Sequence, residues 1–118
     1  MLNVKNDFFL DSVRDLISTN STSTDHTILI VDDEINNLQL LKRTFRGKYR
    51  ILTASNGLEA LETLKENLSE ISLIVSDHKM PIMEGTKFLE EANIIAPDVI
   101  KILLTGFSDV EIITDAVN

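Results

Sequence analysis

The chain has 118 residues, of which 43% are hydrophobic and 25% are charged, and this is enough apolar material for the core of one globular domain. The formal net charge of -8 disfavours binding to the phosphate backbone of nucleic acids, and a cysteine count of 0 excludes disulfides and cysteine metal sites. No apolar run approaches the roughly 20 residues of a membrane-spanning helix, and the first residues do not form a secretory signal pattern.

The first 27 residues differ in character from the rest. A short amphipathic helix over about residues 6–18 is predicted by four apolar residues at helical spacing, Phe9, Val13, Leu16 and Ile17. The polar run from Ser18 to Thr27 is typical of a linker or an exposed loop. We therefore expect residues 1–27 to be an N-terminal extension and residues 28–118 to be the main domain.

From Ile28 onward, apolar runs alternate with helical patterns. Four runs are typical of strands buried on both faces of a sheet: ILIVDDE, YRILTAS, LIVSD and VIKILLTG. Helical spacing predicts four helices, over Ile35 to Phe45, residues 57–68, Gly85 to Ile95 and Ser108 to Val117. In the second helix, Leu58, Leu61, Leu64 and Leu68 are expected to form the buried stripe. Alternation of this kind predicts an α/β fold with right-handed crossovers and a doubly wound parallel sheet.

Polar residues follow three of these strands. Asp32 and Asp33 follow the first, Asp77 ends the third and Thr105 ends the fourth. The carboxyl ends of parallel strands meet at one edge of the sheet, which is where ligands bind in open α/β folds. Three carboxylates at this edge repel one another unless a cation or a shared proton relieves them. Oxygen ligands without cysteine or a close histidine pair favour magnesium over zinc.

This acidic cluster suggests phosphoryl chemistry. A carboxylate beside magnesium can attack phosphorus and form an acyl phosphate, and a hydroxyl such as that of Thr105 would then donate to a phosphoryl oxygen. A single aspartate after a strand is more often a helix cap or turn residue, so it is the joint placement that favours a site. His78 is more often a solvent-facing loop residue than a base or ligand, and Met80 and Met83 are interpreted as packing residues.

The segments ILIVDDE, LIVSDHKMPIMEG and ILLTG together resemble the receiver domain of two-component response regulators, from about Ile28 to the last residue. The acid pair after the first strand, the Asp-x-x-Met-Pro-x-Met-x-Gly loop after the third and the threonine after the fourth carry this resemblance. It implies a flavodoxin-like sheet with strand order 2-1-3-4, a place in a phosphorelay and a cytoplasmic location. The phrases ILLTGFSD and ITDAVN look most like receivers that precede transcription-factor or cyclic-dinucleotide-phosphodiesterase outputs.

The resemblance also implies roles for individual residues. Asp77 would accept a phosphoryl group from a sensor histidine kinase or a phosphotransfer protein. Asp32, Asp33 and Asp77 would hold Mg2+ together with the backbone carbonyl of Lys79, and Thr105 would bind the phosphoryl group as a switch residue. Such a module is not a classical enzyme, because it catalyses at most its own phosphorylation and dephosphorylation. No membrane or direct nucleic-acid partner is implied for this segment.

One departure from the family pattern concerns the C-terminal part. The family continues with a fifth strand that ends in a lysine and with a fifth helix, and this sequence reaches Asn118 before both. We therefore expect a truncated receiver in which the fifth strand is missing and phosphorylation is slowed, because one transition-state charge partner has no counterpart. The fourth strand is then expected to be an exposed apolar edge, beside a helix-sized bare strip on one sheet face.

Three outcomes of this truncation are open. The chain is a fragment of a longer protein, or two copies pair along the fourth strand or exchange segments, or the N-terminal segment from Phe9 to Ile17 folds over part of the bare surface. We rank a homodimer through the exposed fourth-strand edge first.

Two other functions compete with the phosphoacceptor. A degenerate, non-phosphorylated receiver would act as a dimerisation or protein-interaction module; the missing C-terminal elements favour it and the intact acid set opposes it. A metal-dependent phosphohydrolase would usually carry a second acid two residues past the nucleophile. That position holds Lys79, which argues against phosphohydrolase activity.

Overall fold

The structure is a computed structural model that describes residues 26–45, 47, 49–104 and 110–113, the last range as backbone only. Thr105 and the predicted N-terminal helix over residues 6–18 lie outside these residues. The described elements, in chain order, are β1 (Thr27–Val31), α1 (Ile35–Phe45), β2 (Arg50–Ala54), α2 (Gly57–Glu66), β3 (Ile71–Asp77), α3 (Gly85–Ile95), β4 (Ile100–Leu104) and β5 (Val110–Ile113).

The strands form one sheet in the order β2-β1-β3-β4-β5. The first four in this order are parallel, so the predicted doubly wound sheet with order 2-1-3-4 is confirmed. In the centre of the sheet, Ile28 of β1 lies between Ile51 of β2 and Leu73 of β3. This arrangement brings the carboxyl ends of β1 and β3 side by side.

The segment 110–113 does not form the helix that the sequence predicts between Ser108 and Val117. It pairs antiparallel with β4, with Val110 opposite Leu104 and Ile113 opposite Lys101. Three of its four residues are β-branched and favour strands, and the outer edge of β4 offers backbone N–H and C=O groups that need partners. The rest of the predicted helix lies outside the described residues.

This pairing also corrects the expectation of an exposed fourth-strand edge. Over Lys101–Leu104, the outer edge of β4 is covered by a strand of the same chain. The homodimer itself stays a prediction, but the edge that we expected to mediate it is already paired.

The core lies on both faces of the sheet. On one face, Leu29 and Ile74 pack with Leu64 of α2 and Phe88 of α3. On the other face, residues of β1, β3 and β4 pack with Leu41 and Phe45 of α1; the buried strand residues there are Ile28, Ile30, Leu73, Val75, Ile100, Ile102 and Leu104. The sequence analysis predicts a bare apolar strip beside the fourth strand on one face of the sheet. The side chains of Ile100, Ile102 and Leu104 on this face are buried, so the prediction is wrong for them.

Helix α2 is rotated relative to the expected stripe. Its buried residues are Gly57, Ala60 and Leu64, whereas Leu58 and Leu68 are largely exposed. A small residue at the start of α2, Gly57, allows close approach of Met83 in the loop after β3. None of the described helices combines the length and apolar character that crossing a bilayer requires.

Candidate functional site

Three aspartates converge at the carboxyl edge of the sheet. Asp32 and Asp33 directly follow β1, and Asp77 is the last residue of the neighbouring strand β3. One carboxylate oxygen from each of the three lies within 4.8 Å of the others. The structure therefore brings together the three acidic residues that the sequence analysis selected, while Thr105 lies beyond the described residues.

Asp32 is buried and is oriented by its surroundings. Its Oδ1 accepts a hydrogen bond from the Glu34 N–H at 2.9 Å, and its Oδ2 accepts one from the Asn37 side-chain amide at 3.2 Å. Its own N–H donates to the Ala54 carbonyl at the end of β2, at 3.1 Å. Asn37 is a site residue that the sequence analysis missed; the only indication was an amide in the first turn of the helix that follows the acid pair.

Asp77 is half-buried and accessible from the edge of the sheet. Its Oδ1 accepts a hydrogen bond from the His78 N–H at 2.9 Å. The neighbouring Ser76 hydroxyl donates to the Asp77 carbonyl at 2.9 Å. His78 therefore supports the carboxylate through its backbone, and no hydrogen bond of its ring occurs among the described residues.

Burial and mutual repulsion both favour the protonated forms of these acids. Burial raises the pKa of Asp32 to about 6, the Glu34 N–H opposes this rise, and the charges of Asp77 and Asp33 add to it. Burial also raises the pKa of Asp77, with a further contribution from the charge of Asp33. No lysine, arginine or histidine side chain in the described ranges forms a salt bridge with the cluster. The all-oxygen donor set of the three carboxylates fits a hard divalent cation.

The loop between β3 and α3 is fixed against Asp77 by a glycine. The Gly85 N–H donates to the His78 carbonyl at 2.8 Å, and a Cβ atom at Gly85 would lie 2.0 Å from the Asp77 carbonyl oxygen. Only glycine allows α3 to begin this close to the end of β3. The first residue of α3 therefore helps to hold the backbone of Asp77.

The tip of the same loop is a tight three-residue turn. The Met83 N–H donates to the Pro81 carbonyl at 2.7 Å, and Ile82 between them has a φ of 71°. A positive φ is unfavourable for a β-branched residue, so the turn stores backbone strain beside the site. Met83 is held against α2, where a Cβ atom at Gly57 would lie 2.9 Å from its side chain. The interpretation of Met83 and the buried Met80 as packing residues agrees with these positions.

The edge around the acids is open. Asp33 is exposed, and three large apolar residues in the segments that follow β1, β2 and β3 are also exposed, Ile35 at 67%, Leu58 at 51% and Ile82 at 73%. Ile35 is the first residue of α1, Leu58 lies in the first turn of α2, and Ile82 lies at the tip of the loop after β3. A macromolecular partner can therefore reach Asp77 from this side.

Comparison with known proteins identifies the relatives of the chain. The family model described as the response regulator receiver domain matches residues 28–118. The hydrogenase transcriptional regulatory protein HoxA of Cupriavidus necator is 36% identical over 92 residues, which are 78% of this chain and 19% of that protein. The chain spans about a fifth of the length of the curated relatives that it matches first.

Solved structures with the same fold include a response regulator receiver domain protein from Clostridium thermocellum. It is 37% identical, has a TM-score of 0.64 and aligns over 71% of this chain and 68% of its own. The CheX-CheY-BeF3-Mg+2 complex from Borrelia burgdorferi is 28% identical with a TM-score of 0.64, and the alignment covers 66% of this chain and 60% of that chain.

Proposed function

Because this chain belongs to the response regulator receiver domain family of two-component signalling, we propose that Asp77 accepts a phosphoryl group with the help of Mg2+. The observation that carries the proposal is the convergence of Asp32, Asp33 and Asp77, with one oxygen of each within 4.8 Å of the others. Asp77 is the member that is both oriented by a backbone N–H and accessible to a donor.

The residues present fit a magnesium site. Asp32, Asp33 and Asp77 supply carboxylate oxygens, and the backbone carbonyl of Lys79 is the fourth protein ligand in this assignment. Burial and repulsion disfavour the charged forms of Asp32 and Asp77, and a bound cation would reverse this effect. When bound, Mg2+ would offset the charge on the phosphoryl oxygens. The related CheX-CheY complex from Borrelia burgdorferi contains Mg+2 together with BeF3, which supports a magnesium site in this family.

The protein contributes positioning and a nucleophile. The His78 N–H fixes one oxygen of Asp77, and Asn37 with the Glu34 N–H holds Asp32 beside it. An oxygen of Asp77 forms the new O–P bond while the P–N bond of phosphohistidine breaks, and the bonding pair stays on the imidazole nitrogen of the donor. Thr105 then donates its hydroxyl to a phosphoryl oxygen and couples phosphorylation to the end of β4.

The phosphodonor is a sensor histidine kinase or a phosphotransfer protein, and the site of action is the cytoplasm. The acidic, exposed edge around Asp77, with its three exposed apolar side chains, supports a protein donor over a nucleic acid. Residues 28–118 act as the receiver, and residues 1–27 form a separate extension.

Phosphorylation with a small donor tests the proposal. We expect incubation with Mg2+ and acetyl phosphate to raise the intact mass by one phosphoryl group, and Asp77→Asn or removal of magnesium with EDTA to abolish this gain. Glu90→Gln is the matched control, because it also turns an acid into an amide but lies exposed on α3.

An equal mass gain in the Asp77→Asn variant would place the modification on another residue. If the wild-type chain neither gains mass nor binds magnesium at millimolar concentration, the alternative applies, and the chain is a non-phosphorylated interaction module. Magnesium binding without a mass gain would retain the metal site and reject Asp77 as acceptor of this donor.

A further inference from the structure

The carboxylate of Asp32 is held at both of its oxygens. Its Oδ1 accepts a hydrogen bond from the Glu34 N–H at 2.9 Å, and its Oδ2 accepts one from the Asn37 side-chain amide at 3.2 Å. A single hydrogen bond leaves a carboxylate free to pivot about it, whereas donors at both oxygens fix its rotation. The Asn37 amide is therefore the contact that completes the orientation of Asp32.

The two donors belong to one hydrogen-bonded turn at the start of α1. The Glu34 carbonyl accepts from the backbone N–H groups of Asn37 and Leu38, both at 3.1 Å, so the residue that holds Oδ1 also fixes the start of the helix. One turn farther along α1, Leu41 is buried in the core, and it lies on the same side of the helix as Asn37. The packing of α1 on the sheet thus keeps the Asn37 amide at the end of β1.

Burial makes this contact important for the carboxylate. Asp32 is 2% exposed, so water has little access to it. In such surroundings a hydrogen bond to a charged acceptor is stronger than it is in water. Loss of the amide would therefore leave a buried carboxylate with one fixed oxygen and with little water to replace the missing donor.

Two successive asparagines in the first turn of α1 differ in this contact. Asparagine has a lower helix propensity than alanine, and near a helix start its side-chain oxygen usually caps backbone N–H groups. In Asn37 it is the side-chain nitrogen that donates, and the acceptor is Asp32. Asn36 is exposed, and no hydrogen bond of its side chain occurs in the described part of the chain. The contact to the acid thus distinguishes Asn37 from its neighbour.

A fixed carboxylate matters more for a small cation than for a large one. Mg2+ requires near-ideal octahedral geometry with ligands at about 2.1 Å. Ca2+ accepts flexible coordination at about 2.3–2.6 Å and binds carboxylates through one oxygen or two. A carboxylate that can pivot should therefore lower the affinity for Mg2+ more than the affinity for Ca2+.

We propose that Asn37 is a positioning residue that favours Mg2+ over Ca2+ by holding the Asp32 carboxylate in one orientation. This inference rests on the proposed magnesium site of Asp32, Asp33 and Asp77, and it adds to that site a residue that contributes no ligand atom. A side chain that only helped α1 to begin would affect the binding of both cations alike.

NMR titrations of the labelled protein with MgCl2 and with CaCl2 test the inference. We expect Asn37→Ala to weaken Mg2+ binding about tenfold, as is typical when a group that orients a metal ligand is removed, and to weaken Ca2+ binding less. The matched control Asn36→Ala makes the same change in helix propensity one residue earlier and should leave both affinities unchanged.

The outcomes separate this inference from the proposed function. An equal loss of affinity for the two cations in Asn37→Ala, or no loss for Mg2+, would overturn the inference while the magnesium site stands. If the wild-type chain did not bind Mg2+, the proposed function would be overturned, and this inference with it.

Stabilisation by the metal gives a second readout, in which each variant is compared with its own metal-free form. A cation that binds only the folded state raises the free energy of unfolding, and the rise increases as the dissociation constant falls. In urea titrations with MgCl2 and with EDTA, we expect this rise to be smaller in Asn37→Ala than in the wild type and in Asn36→Ala. A full rise in Asn37→Ala would contradict the role of its amide, even if the substitution alters the stability of the metal-free protein.

Discussion

The charge state of Asp32 links the site to the stability of the domain. The carboxyl is buried, and its pKa rises from 3.8 to about 6 in the folded chain. The folded protein therefore binds a proton more tightly than the unfolded chain does between these values. It follows that, without metal, the free energy of unfolding decreases as the pH rises from about 4 to about 6, and the raised pKa of Asp77 acts in the same direction.

Asp32→Asn should remove most of this pH dependence. At pH 7 in EDTA, we expect the variant to be more stable than the wild type by about 2 kcal/mol, because the amide avoids the cost of a buried charge. Urea unfolding at pH 4, 5, 6 and 7 measures the effect, with the exposed acid variant Glu90→Gln as control. A wild-type stability that increases over this range would show that the acids are stabilised as anions without metal.

Lys101 is a second buried ionisable residue, at the opposite edge of the sheet. Its Nζ donates to the carbonyls of Ala96 and Val99, at 2.7 and 2.6 Å. Burial lowers its pKa to about 8, and the charge of Asp98 partly opposes this shift. Lys101 thus satisfies carbonyls at the end of α3 and in the turn before β4, and it does so at the cost of a buried ammonium group.

The sign of this shift predicts an alkaline effect on stability. Between about pH 8 and 10.5 the unfolded chain retains the proton that the folded chain loses, so the free energy of unfolding should rise across this window. Lys101→Met should abolish the rise, whereas the exposed Lys87→Met should preserve it. Denaturant titrations at pH 7.5, 8.5 and 9.5 measure both slopes, and identical slopes in wild type and Lys101→Met would contradict the assignment.

At the scale of elements, glycine determines how closely α3 approaches β3. Gly85→Ala would place a Cβ atom 2.0 Å from the Asp77 carbonyl oxygen, so the start of α3 must shift. We expect a loss of several kcal/mol in the free energy of unfolding and slower phosphorylation by acetyl phosphate, because the backbone that carries Asp77 moves with it.

Gly47→Ala is the matched control for this effect. Gly47 has a φ of 86° and no atom within 4 Å of the added Cβ, so the cost is conformational only, about 1 kcal/mol. Circular-dichroism melts and phosphorylation rates of the two variants distinguish the cases. If both variants lost the same stability and neither lost rate, close packing at Gly85 would not matter for the site.

Features that follow from the local pattern of apolar and polar residues could be predicted from the sequence. Features that depend on contacts between secondary-structure elements could not. The apolar runs of β1 and β3 end in acids, and connectivity alone places Asp32 and Asp77 at the same edge, as the structure confirms. The hydrogen bond from the Asn37 side chain to Asp32 depends on the direction of α1 relative to β1, which the spacing of residues in the sequence does not specify. The pairing of residues 110–113 with β4 also escaped prediction, because the outcome depends on the unpaired edge of β4 and not on the residue periodicity of the segment itself.

For the whole molecule, the sheet is the element that joins site and stability. The acids lie at the carboxyl ends of its central strands, and Lys101 lies near the amino end of β4. Side chains on both faces of the sheet are buried. Of the two outer parallel strands, β2 and β4, the second is buried along its whole length, and its outer backbone groups need a partner. In this chain, β5 supplies that partner with the shortest strand described.

Weakening β5 should therefore change the association state of the protein. In an antiparallel pair, successive residues alternate between donating across the ladder and pointing away from it. Glu111→Pro and Ile112→Pro thus form a matched pair, in which only one substitution removes a hydrogen bond to β4. We expect sedimentation velocity to show concentration-dependent self-association in one of the two variants, the one that loses the hydrogen bond to β4, and less self-association in the other. The reason is that the freed edge of β4 can pair with a strand of a second chain. If neither variant associates at any concentration, covering the edge of β4 is not what keeps copies of this chain apart.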